Sequence, residues 1–290
     1  MDLRVMAMGL AFSLMWSSAF ATARIIVAGA PPLLALSLRF AISGLIAVVV
    51  ARALGQSWRL NRPIARSVLI FGLCQNALYL GLNFIALKKI EASLASIIAS
   101  SMPLIVALLG WLWRRKKIAP LGIAGLGAGF LGVAMIMGGR VSTGADPVAI
   151  LLCLIGAISL AVATLTVSAV SSGGNLLMVV GLQMLVGSVS LGVISAMSET
   201  YFIVPSLPLV VAFAYQIAVP GLAATLLWFA LVGRAGAVKA STFHFLNPFF
   251  GVVVAAILLG EHINGLDMIG VAIVTVGILA VQMSKMQRLG

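Results

Sequence analysis

SIIASSMP at residues 96–103 and STFHFLNP at residues 241–248 are two versions of one motif, separated by 145 residues. Each begins with serine and reaches proline seven residues later. The same spacing relates further pairs on both sides: Phe84 and Phe229, Ala92 and Ala237, Ala95 and Ala240, Gly125 and Gly270, and Gly132 and Gly277. Such an ordered series indicates an internal duplication. We therefore predict two related halves, at residues 1–140 and 147–290.

The duplicated motif lies within long apolar segments. The chain is 62% hydrophobic and 8% charged, with a mean hydropathy of +1.22. An apolar run of about 17–25 residues spans a bilayer as a helix. Ten such runs are predicted, at residues 3–28, 32–54, 64–87, 91–113, 118–139, 147–170, 175–197, 207–233, 236–260 and 263–284. The fold class is therefore all-α, an integral membrane protein.

Each half contains five of these runs, and this odd number has a consequence for orientation. The second half must enter the membrane upside down relative to the first, which gives inverted repeats. Inverted repeats are typical of secondary transporters, whose substrate site lies near the bilayer midplane between the repeats. The sequence thus predicts ten helices in two inverted five-helix repeats around a central cavity.

The charged residues predict which side of the membrane each loop occupies. Most basic residues fall in loops on one side, with clusters at 52–66 and 114–117. The acidic residues Glu91, Asp146, Glu199, Glu261 and Asp267 all fall on the other side. Lys and Arg concentrate in cytoplasmic loops, so both termini are predicted to be cytoplasmic in a bacterial inner membrane. The net charge of +12 reflects this topology and not a nucleic-acid partner.

Four polar side chains in the third helix are candidates for substrate binding. Gln75, Asn76, Tyr79 and Asn83 fall within an arc of about 100° if each residue turns by about 100°. Polar groups inside a membrane are costly unless they face a cavity or a partner. Amides and a phenol suit the ammonium and carboxylate of a zwitterion. The alternative is hydrogen bonding between packed helices.

The two copies of the motif contribute a second group of candidates. Ser241, His244 and Asn247 precede Pro248 in the ninth helix, and Ser96 and Ser100 precede Pro103 in the fourth. Proline removes a backbone donor and disturbs the preceding turn. Pro103 and Pro248 are therefore predicted hinges, although simple kinks are the alternative. His244 is either a substrate ligand, a titrating group or a neutral hydrogen-bonded residue.

Aromatic and basic residues complete the set. Trp16 in the first helix and Trp228 in the eighth are predicted to contact the substrate. Arg39 lies about seven residues inside the second helix. It either binds a substrate carboxylate or has a structural role, for example with Glu91, and we favour the structural role.

Several segments resemble a known family. They are Leu246-Asn247-Pro248, the run from Leu258 to Ile263, Gly270, Gly277, Ser101-Met102-Pro103 and Met15-Trp16-Ser17-Ser18. Together they resemble the drug/metabolite transporter superfamily in its duplicated ten-helix EamA form. The Gly260-Glu261 signature has no counterpart in the first half, where Arg115-Lys116 stands, so the first half is the more diverged.

The resemblance implies a basket of helices in which the third, fourth, eighth and ninth open and close the two ends. It also implies export, and it is greatest to YddG-like exporters of aromatic and other neutral amino acids. The residues themselves are compatible with this substrate class. No Asp or Glu lies in the middle of a predicted helix, which disfavours cation exporters, and a single arginine is too little for a phosphate carrier.

Two other function classes remain to be weighed. The first is export of other small metabolites or drugs by proton antiport. The second, more remote, is an intramembrane enzyme, which would need an acid pair, a catalytic triad or a metal cluster. Two histidines and two unpaired cysteines provide none of these, so no catalytic residue, metal or cofactor is predicted. The expected partners are a small-molecule substrate and the lipid bilayer; a monomer suffices, but the sequence does not determine the oligomeric state.

Overall fold

The computed structural model describes residues 3–114, 119–167, 174–235, 240 and 243–286, and every regular element in these ranges is helical. We number the membrane helices α1 to α10. Their bounds are Leu3–Gly29 (α1), Pro32–Ala53 (α2), Arg62–Ala86 (α3), Ala92–Ser100 with Met102–Arg114 (α4), Pro120–Ser142 (α5), Pro147–Val167 (α6), Leu176–Ser198 (α7), Leu207–Ala235 (α8), Phe243–Leu259 (α9) and Gly265–Met286 (α10). The all-α prediction is confirmed.

The helices are long and apolar enough for a membrane. Within the described ranges, nine of them have at least 18 residues and high hydropathy, and α9 is a shorter apolar helix. Large apolar side chains such as Val49, Val189 and Ile257 are exposed on their outer faces. This pattern fits contact with lipid, which does not penalise exposed hydrocarbon. The chain is therefore a multi-pass membrane protein.

Local sequence explains where the helices begin. Proline occupies one of the first two positions of α2, α3, α5, α8 and the α-helical part of α9, where its missing N–H costs nothing. Asn61 accepts a hydrogen bond from the N–H of Ile64 at the start of α3, and Ser206 does the same for Leu209 at the start of α8. These caps satisfy amides that have no partner inside the helix.

The two halves share their irregularities as well as their helices. A π-helical segment interrupts α3 at Gly72–Leu80, and another interrupts α8 at Ile217–Ala223. These segments begin 145 residues apart, the same spacing as the sequence repeat. The second part of α4 begins at Met102 and the α-helical part of α9 at Asn247, again 145 residues apart. The predicted two-repeat architecture is confirmed at the level of the backbone.

The equivalent helices α5 and α10 pack closely through glycines. A Cβ added at Gly125 would lie 2.8 Å from the carbonyl oxygen of Gly277, and one at Gly132 would lie 3.0 Å from that of Gly270. The earlier residue of α5 thus meets the later residue of α10, so the two helices are antiparallel. Because they occupy the same place in their repeats, the repeats are inverted. Small residues allow this close backbone approach in lipid.

The equivalent helices α2 and α7 form a second antiparallel pair. The hydroxyl of Ser37 donates to the carbonyl of Ser188 at 2.8 Å, and the hydroxyl of Ser188 donates to the carbonyl of Ser37 at 2.9 Å. One turn or more away, a Cβ at Gly44 would lie 3.0 Å from the carbonyl oxygen of Gly181. These two pairs, α2 with α7 and α5 with α10, tie the two halves together through small residues.

Charged residues collect at the end of the molecule that carries the α3–α4, α5–α6, α7–α8 and α9–α10 turns. Lys89 pairs with Asp146 at 2.9 Å across two of these turns. Arg140 pairs with Asp267 at 2.7 Å and also with Glu91. The structure therefore groups the acidic residues at one end, as the sequence grouping anticipates, and we call this the acidic end.

Candidate substrate cavity

A narrow cavity lies near the centre of the molecule. Its volume is about 20 Å³, which is room for about one water molecule. Helices α1, α3, α4, α6 and α9 surround it. The lining residues are Trp16, Ser17, Phe20, Tyr79, Ser96, Ala99, Ser100, Met102, Leu160, His244 and Asn247. The cavity is therefore closed around a small volume and must widen to accept a metabolite.

The two broken helices meet at this cavity. α4 is interrupted at Ser101, just before Pro103, and α9 opens with a 3-10 turn at Phe243–Leu246, just before Pro248. A 3-10 turn is a tighter winding often found at functional bends. Each of the two predicted hinge prolines is thus the second residue of the α-helical segment that follows a break. Their role in movement stays a prediction.

Helix α1 holds the break in α9 in place. The hydroxyl of Ser13 donates to the carbonyl of Phe243 at 2.9 Å, and that of Ser17 donates to the carbonyl of Asn247 at 3.2 Å. Pro248 has no N–H, so the turn before it cannot form its usual helical hydrogen bond. Both carbonyls lie beside that turn. Serine hydroxyls on one face of α1 therefore stabilise the irregular backbone next to the cavity.

Aromatic rings form a cluster at one wall of the cavity. The ring of Phe12 lies 4.8 Å from Trp228, 5.7 Å from Trp16 and 5.4 Å from His244, between ring centroids. Trp228 in turn lies 5.1 Å from His244. Trp228 supports the wall from behind and is not among the lining residues, whereas Trp16 lines the cavity directly. Offset and edge contacts of this kind stabilise a rigid aromatic surface.

His244 forms a side-chain hydrogen bond with its neighbour Asn247. The side-chain nitrogen of Asn247 lies 2.9 Å from Nδ1 of His244. With the amide assigned in this way, Nδ1 accepts and the ring proton is on Nε2. The imidazole is then neutral and has an N–H to offer. The carbonyl oxygen of the Asn247 side chain is buried without a partner among the described residues.

One more polar group at the cavity lacks a partner in the described part of the chain. The hydroxyl of Ser96 is buried without a hydrogen bond. Buried polar groups are normally paired, so the Ser96 hydroxyl and the Asn247 side-chain oxygen are suited to receive a ligand. The Tyr79 side chain is 1% exposed and lines the same cavity. The lining residues include no charged side chain.

Of the candidates in α3, only Tyr79 lines the cavity. The Asn76 side chain donates to the carbonyl of Gln183 in α7 at 2.8 Å, and the Asn83 side chain donates to the carbonyl of Tyr79 at 2.7 Å. Gln75 is partly exposed and is not a lining residue. The π-helical segment explains the difference, because its i→i+5 bonding turns each residue by less than an α-helix does. The four side chains that were predicted to share one face of α3 therefore do not all face the cavity, and they contact different parts of the structure.

The remaining candidates divide in the same way. Ser96, Ser100, His244 and Asn247 line the cavity together, which places both copies of the motif at one site. Ser241 lies outside the described residues. Ser17 and Phe20 share the cavity-facing arc of α1 with Trp16, so helical spacing could have identified them. Leu160 in α6 gave no signal, since it is one leucine within an apolar run.

Arg39 is buried away from this cavity. Its side chain is 5% exposed, and its Nε donates to the backbone carbonyl of Gln216 in α8 at 3.2 Å. Glu91, the predicted acidic partner, instead pairs with Arg140. The structural role favoured from the sequence thus has a backbone carbonyl as its partner and not a carboxylate.

Comparison with known proteins agrees with this architecture. The EamA-like transporter family matches residues 3–138 and 147–283, one copy in each half. The uncharacterized transporter YvbV of Bacillus subtilis is 29% identical over 283 residues, covering 95% of this chain and 90% of YvbV. The uncharacterized inner membrane transporter YedA of Escherichia coli K12 is 24% identical over 279 residues, covering 95% of this chain and 89% of YedA.

A protein of known crystal structure shares the fold. It superimposes with a TM-score of 0.70 at 20% sequence identity, covering 100% of this chain and 99% of that protein. The two family matches, the inverted helical repeats and the cavity between them lead to one conclusion. The chain is a transporter, not an enzyme, and belongs to the EamA-like family of the drug/metabolite transporter superfamily.

Proposed function

We propose that this transporter exports small neutral or zwitterionic metabolites, in particular amino acids with aromatic side chains, by alternating access. The observation that carries the proposal is a central cavity with aromatic walls, unpaired neutral polar groups and no charged lining residue. A zwitterion has no net charge to balance, so neutral donors and acceptors are sufficient for it. Its apolar side chain would pack against the rings of Trp16 and Phe20.

The polar groups divide into acceptors and donors. The unpaired side-chain oxygen of Asn247 and the hydroxyl of Ser96 are acceptors for the substrate ammonium group. The Nε2–H of His244 and the hydroxyl of Tyr79 are donors for its carboxylate. Because the cavity holds about one water molecule in this closed form, binding requires α4 and α9 to separate.

The movement that we propose uses the two broken helices. Residues 1–140 and 147–290 form the two halves, joined firmly by the α2–α7 and α5–α10 pairs. The α3–α4 and α8–α9 hairpins rock relative to these pairs, with Pro103 and Pro248 as hinges. We further propose that the acidic end faces outward from a bacterial inner membrane and that both termini are cytoplasmic. YedA carries the description of an inner membrane transporter.

The proposal is tested by uptake of labelled phenylalanine and leucine into liposomes that contain the purified protein. Saturable uptake is expected in wild type, with KM raised about three- to tenfold in Tyr79→Phe through loss of one hydrogen bond. Tyr215→Phe is the matched control, because the Tyr215 hydroxyl bonds Ser18 at 2.7 Å and does not line the cavity. No saturable flux of any neutral amino acid would reject this substrate class.

An imposed pH gradient distinguishes the proton-coupled alternative. The contact between the Asn247 amide and Nδ1 of His244 is compatible with a histidine that does not exchange protons, and so supports facilitated transport along the substrate gradient. Flux that is independent of the pH gradient is therefore expected. Flux that requires the gradient, and that loses this requirement in His244→Gln, would instead show proton antiport.

A further inference from the structure

The side chain of Glu261 reaches from the second half of the protein to the outer end of α4 in the first half. Its carboxylate oxygens accept hydrogen bonds from the backbone N–H groups of Ala92 at 2.7 Å and Ser93 at 2.9 Å. Glu91, at the N-cap position itself, makes no side-chain capping bond. The free amides of this helix end therefore have their carboxylate partner in the other repeat. A negative charge at a helix N-terminus is also favoured by the helix dipole.

The backbone beside Glu261 directs it to this place. Gly260 ends α9 with φ +66°, a left-handed conformation that glycine adopts without strain. The chain therefore turns sharply at the end of α9, and the next side chain extends over the neighbouring helix. Asn264 and Asp267 then cap the start of α10 reciprocally, with the Asp267 N–H donating to the side chain of Asn264 at 2.8 Å.

The helix segment that Glu261 holds also forms part of the cavity. Ala92–Ser100 is buried along its whole length, and its far end presents Ser96, Ala99 and Ser100 to the cavity. The segment ends at the break at Ser101. Its nine residues span about 13 Å. One end is therefore fixed by Glu261, and the other lies between the cavity and the Pro103 hinge.

Other charged groups hold the same turn from different sides. The Arg24 guanidinium in α1 donates to the carbonyl of Leu87, while Arg140 in α5 pairs with Glu91. Both of these contacts lie within the first half, and Arg140 also pairs with Asp267 at the start of α10. Glu261 is the group that bonds the backbone N–H groups at the start of α4 directly from the α9–α10 turn. These bonds must break if α4 and α9 separate at this end.

A second glutamate makes the same bond in a different setting. Glu199 accepts from the N–H groups of Leu33 at 2.8 Å and Leu34 at 2.9 Å, at the start of α2. It also links the two halves, since it follows α7. However, α2 and α7 remain joined by the reciprocal serine bonds and the glycine contact described above, and no α2 residue lines the cavity. Glu199 therefore has the same bonding geometry without the connection to the binding site.

We propose that Glu261 is a positioning residue that latches the outer segment of α4, and that release of this latch opens the cavity at the acidic end. This proposal depends on the proposed transport function in one respect, which is that the central cavity is the binding site. It requires no particular substrate. Its loss shifts the protein towards the form open at the acidic end, whereas loss of Glu199 does not.

The test measures how readily the cavity is reached from each side of the membrane. A reporter cysteine is introduced as Ala99→Cys, and its reaction with a membrane-impermeant maleimide is compared with that of the parent carrying only Cys74 and Cys153. The reagent is added to spheroplasts and, separately, to inverted membrane vesicles. The reporter is combined with Glu261→Gln, with Glu261→Asp and with the matched control Glu199→Gln.

Glu261→Gln is expected to raise the rate of labelling from the acidic end about tenfold, which corresponds to about 1.4 kcal/mol. Glu261→Asp, which keeps the charge, should fall between wild type and Glu261→Gln, and Glu199→Gln should match wild type. Each variant is first shown to be monodisperse, so that unfolding is not read as opening. Unchanged labelling in a folded Glu261→Gln protein, or an equal increase in Glu199→Gln, would overturn the latch. A failure of amino-acid transport alone would leave this labelling result untouched.

Discussion

The Nε of Arg39 lies 3.2 Å from the backbone carbonyl oxygen of Gln216, the carbonyl that residue 220 would bond in a regular α-helix. Residue 220 is proline and has no N–H to donate. A buried arginine from α2 thus supplies a side-chain donor to the carbonyl that Pro220 cannot bond. This contact stabilises the π-helical segment of α8 from outside the helix.

The contact predicts a coupling between Arg39 and Pro220. Arg39→Met removes the donor and is expected to lower the free energy of unfolding, because the Gln216 carbonyl loses a partner. In a Pro220→Ala background residue 220 has an N–H again, so the same change should cost about 1 kcal/mol less. Unfolding in detergent of the wild type, both single variants and the double variant measures this coupling. Additive effects would contradict it.

Asn76 and Asn247 are expected to respond in opposite ways to substitution by alanine. Asn76 bonds α7 through the Gln183 carbonyl, so Asn76→Ala should lower stability by about 0.6–1.7 kcal/mol, the range for hydrogen bonds between membrane helices, and leave KM unchanged. Asn247→Ala should raise KM about tenfold, because Asn247 lines the cavity and orients His244. Thermal unfolding and transport assays on both proteins separate the two roles. A raised KM in Asn76→Ala would place that side chain in the binding site.

Gly251 marks the crossing of α9 with α4. A Cβ at this position would lie 2.6 Å from the Cβ of Ser96 and still closer to its hydroxyl. Gly251→Ala should therefore force the two helices apart, cost about 1–3 kcal/mol and reduce transport. Gly127→Ala in α5 is the control, since nothing lies within 4 Å of its added Cβ. The control should keep wild-type transport; equal transport by both variants would contradict close closure at this crossing.

The Lys89–Asp146 pair predicts a pH dependence confined to acid conditions. The side-chain hydrogen bond from Lys89, followed by backbone N–H bonds from Ala149 and Val148, holds the pKa of Asp146 below its ordinary value of 3.8. A lowered pKa means that the ionised carboxylate stabilises the folded state above this value and ceases to do so as the pH falls through the lowered pKa.

Wild type should therefore melt at a higher temperature than Asp146→Asn, by an amount that is constant from pH 5 to 8 and shrinks below about pH 3.8. Lys89→Met is the companion variant, and it should retain the backbone bonds and so lose less stability. Melting curves of the three proteins across this range provide the test. A difference that already disappears near pH 6 would rule out this assignment.

The predicted orientation is tested by two exposed aromatic residues at opposite ends. Trp58, in the basic α2–α3 turn, is 69% exposed, and Tyr201, between α7 and α8, is 75% exposed. Trp58→Cys should react with an impermeant maleimide only in inverted vesicles, and Tyr201→Cys only in spheroplasts. The reverse pattern would place the termini outside the cytoplasm.

The spans, the repeat and its inversion could all be predicted from the sequence, because each depends on periodic or repeated features. Helix α5 was predicted at 118–139 and lies at Pro120–Ser142, a shift of a few residues that follows from proline starting the helix. The apposed glycines of α5 and α10 are the residues that the 145-residue spacing identifies. Their contact across two helices was not foreseeable, since one sequence does not show which faces pack together.

The structure brings some of the predicted site residues to the cavity and places others elsewhere, and the difference has a physical cause. Ser96, Ser100, His244 and Asn247 converge at the cavity, because both copies of the motif precede a proline near a break in a membrane helix. Asn76 and Asn83 do not join them, because the arc argument assumes α-helical geometry and α3 is π-helical from Gly72 to Leu80. Phe12 and Leu160 were missed because an apolar side chain within an apolar run gives no local signal. Roles in binding and hinging stay predictions until transport is measured.

The matching π-helical segments also bear on how this distortion is encoded. Aligned at 145 residues, Gly72–Leu78 and Ile217–Ala223 share no identical residue at any position. The wider helical turn therefore does not require the same side chain at any one place in the two halves. It is a shared property of the backbone, and different local sequences are compatible with it.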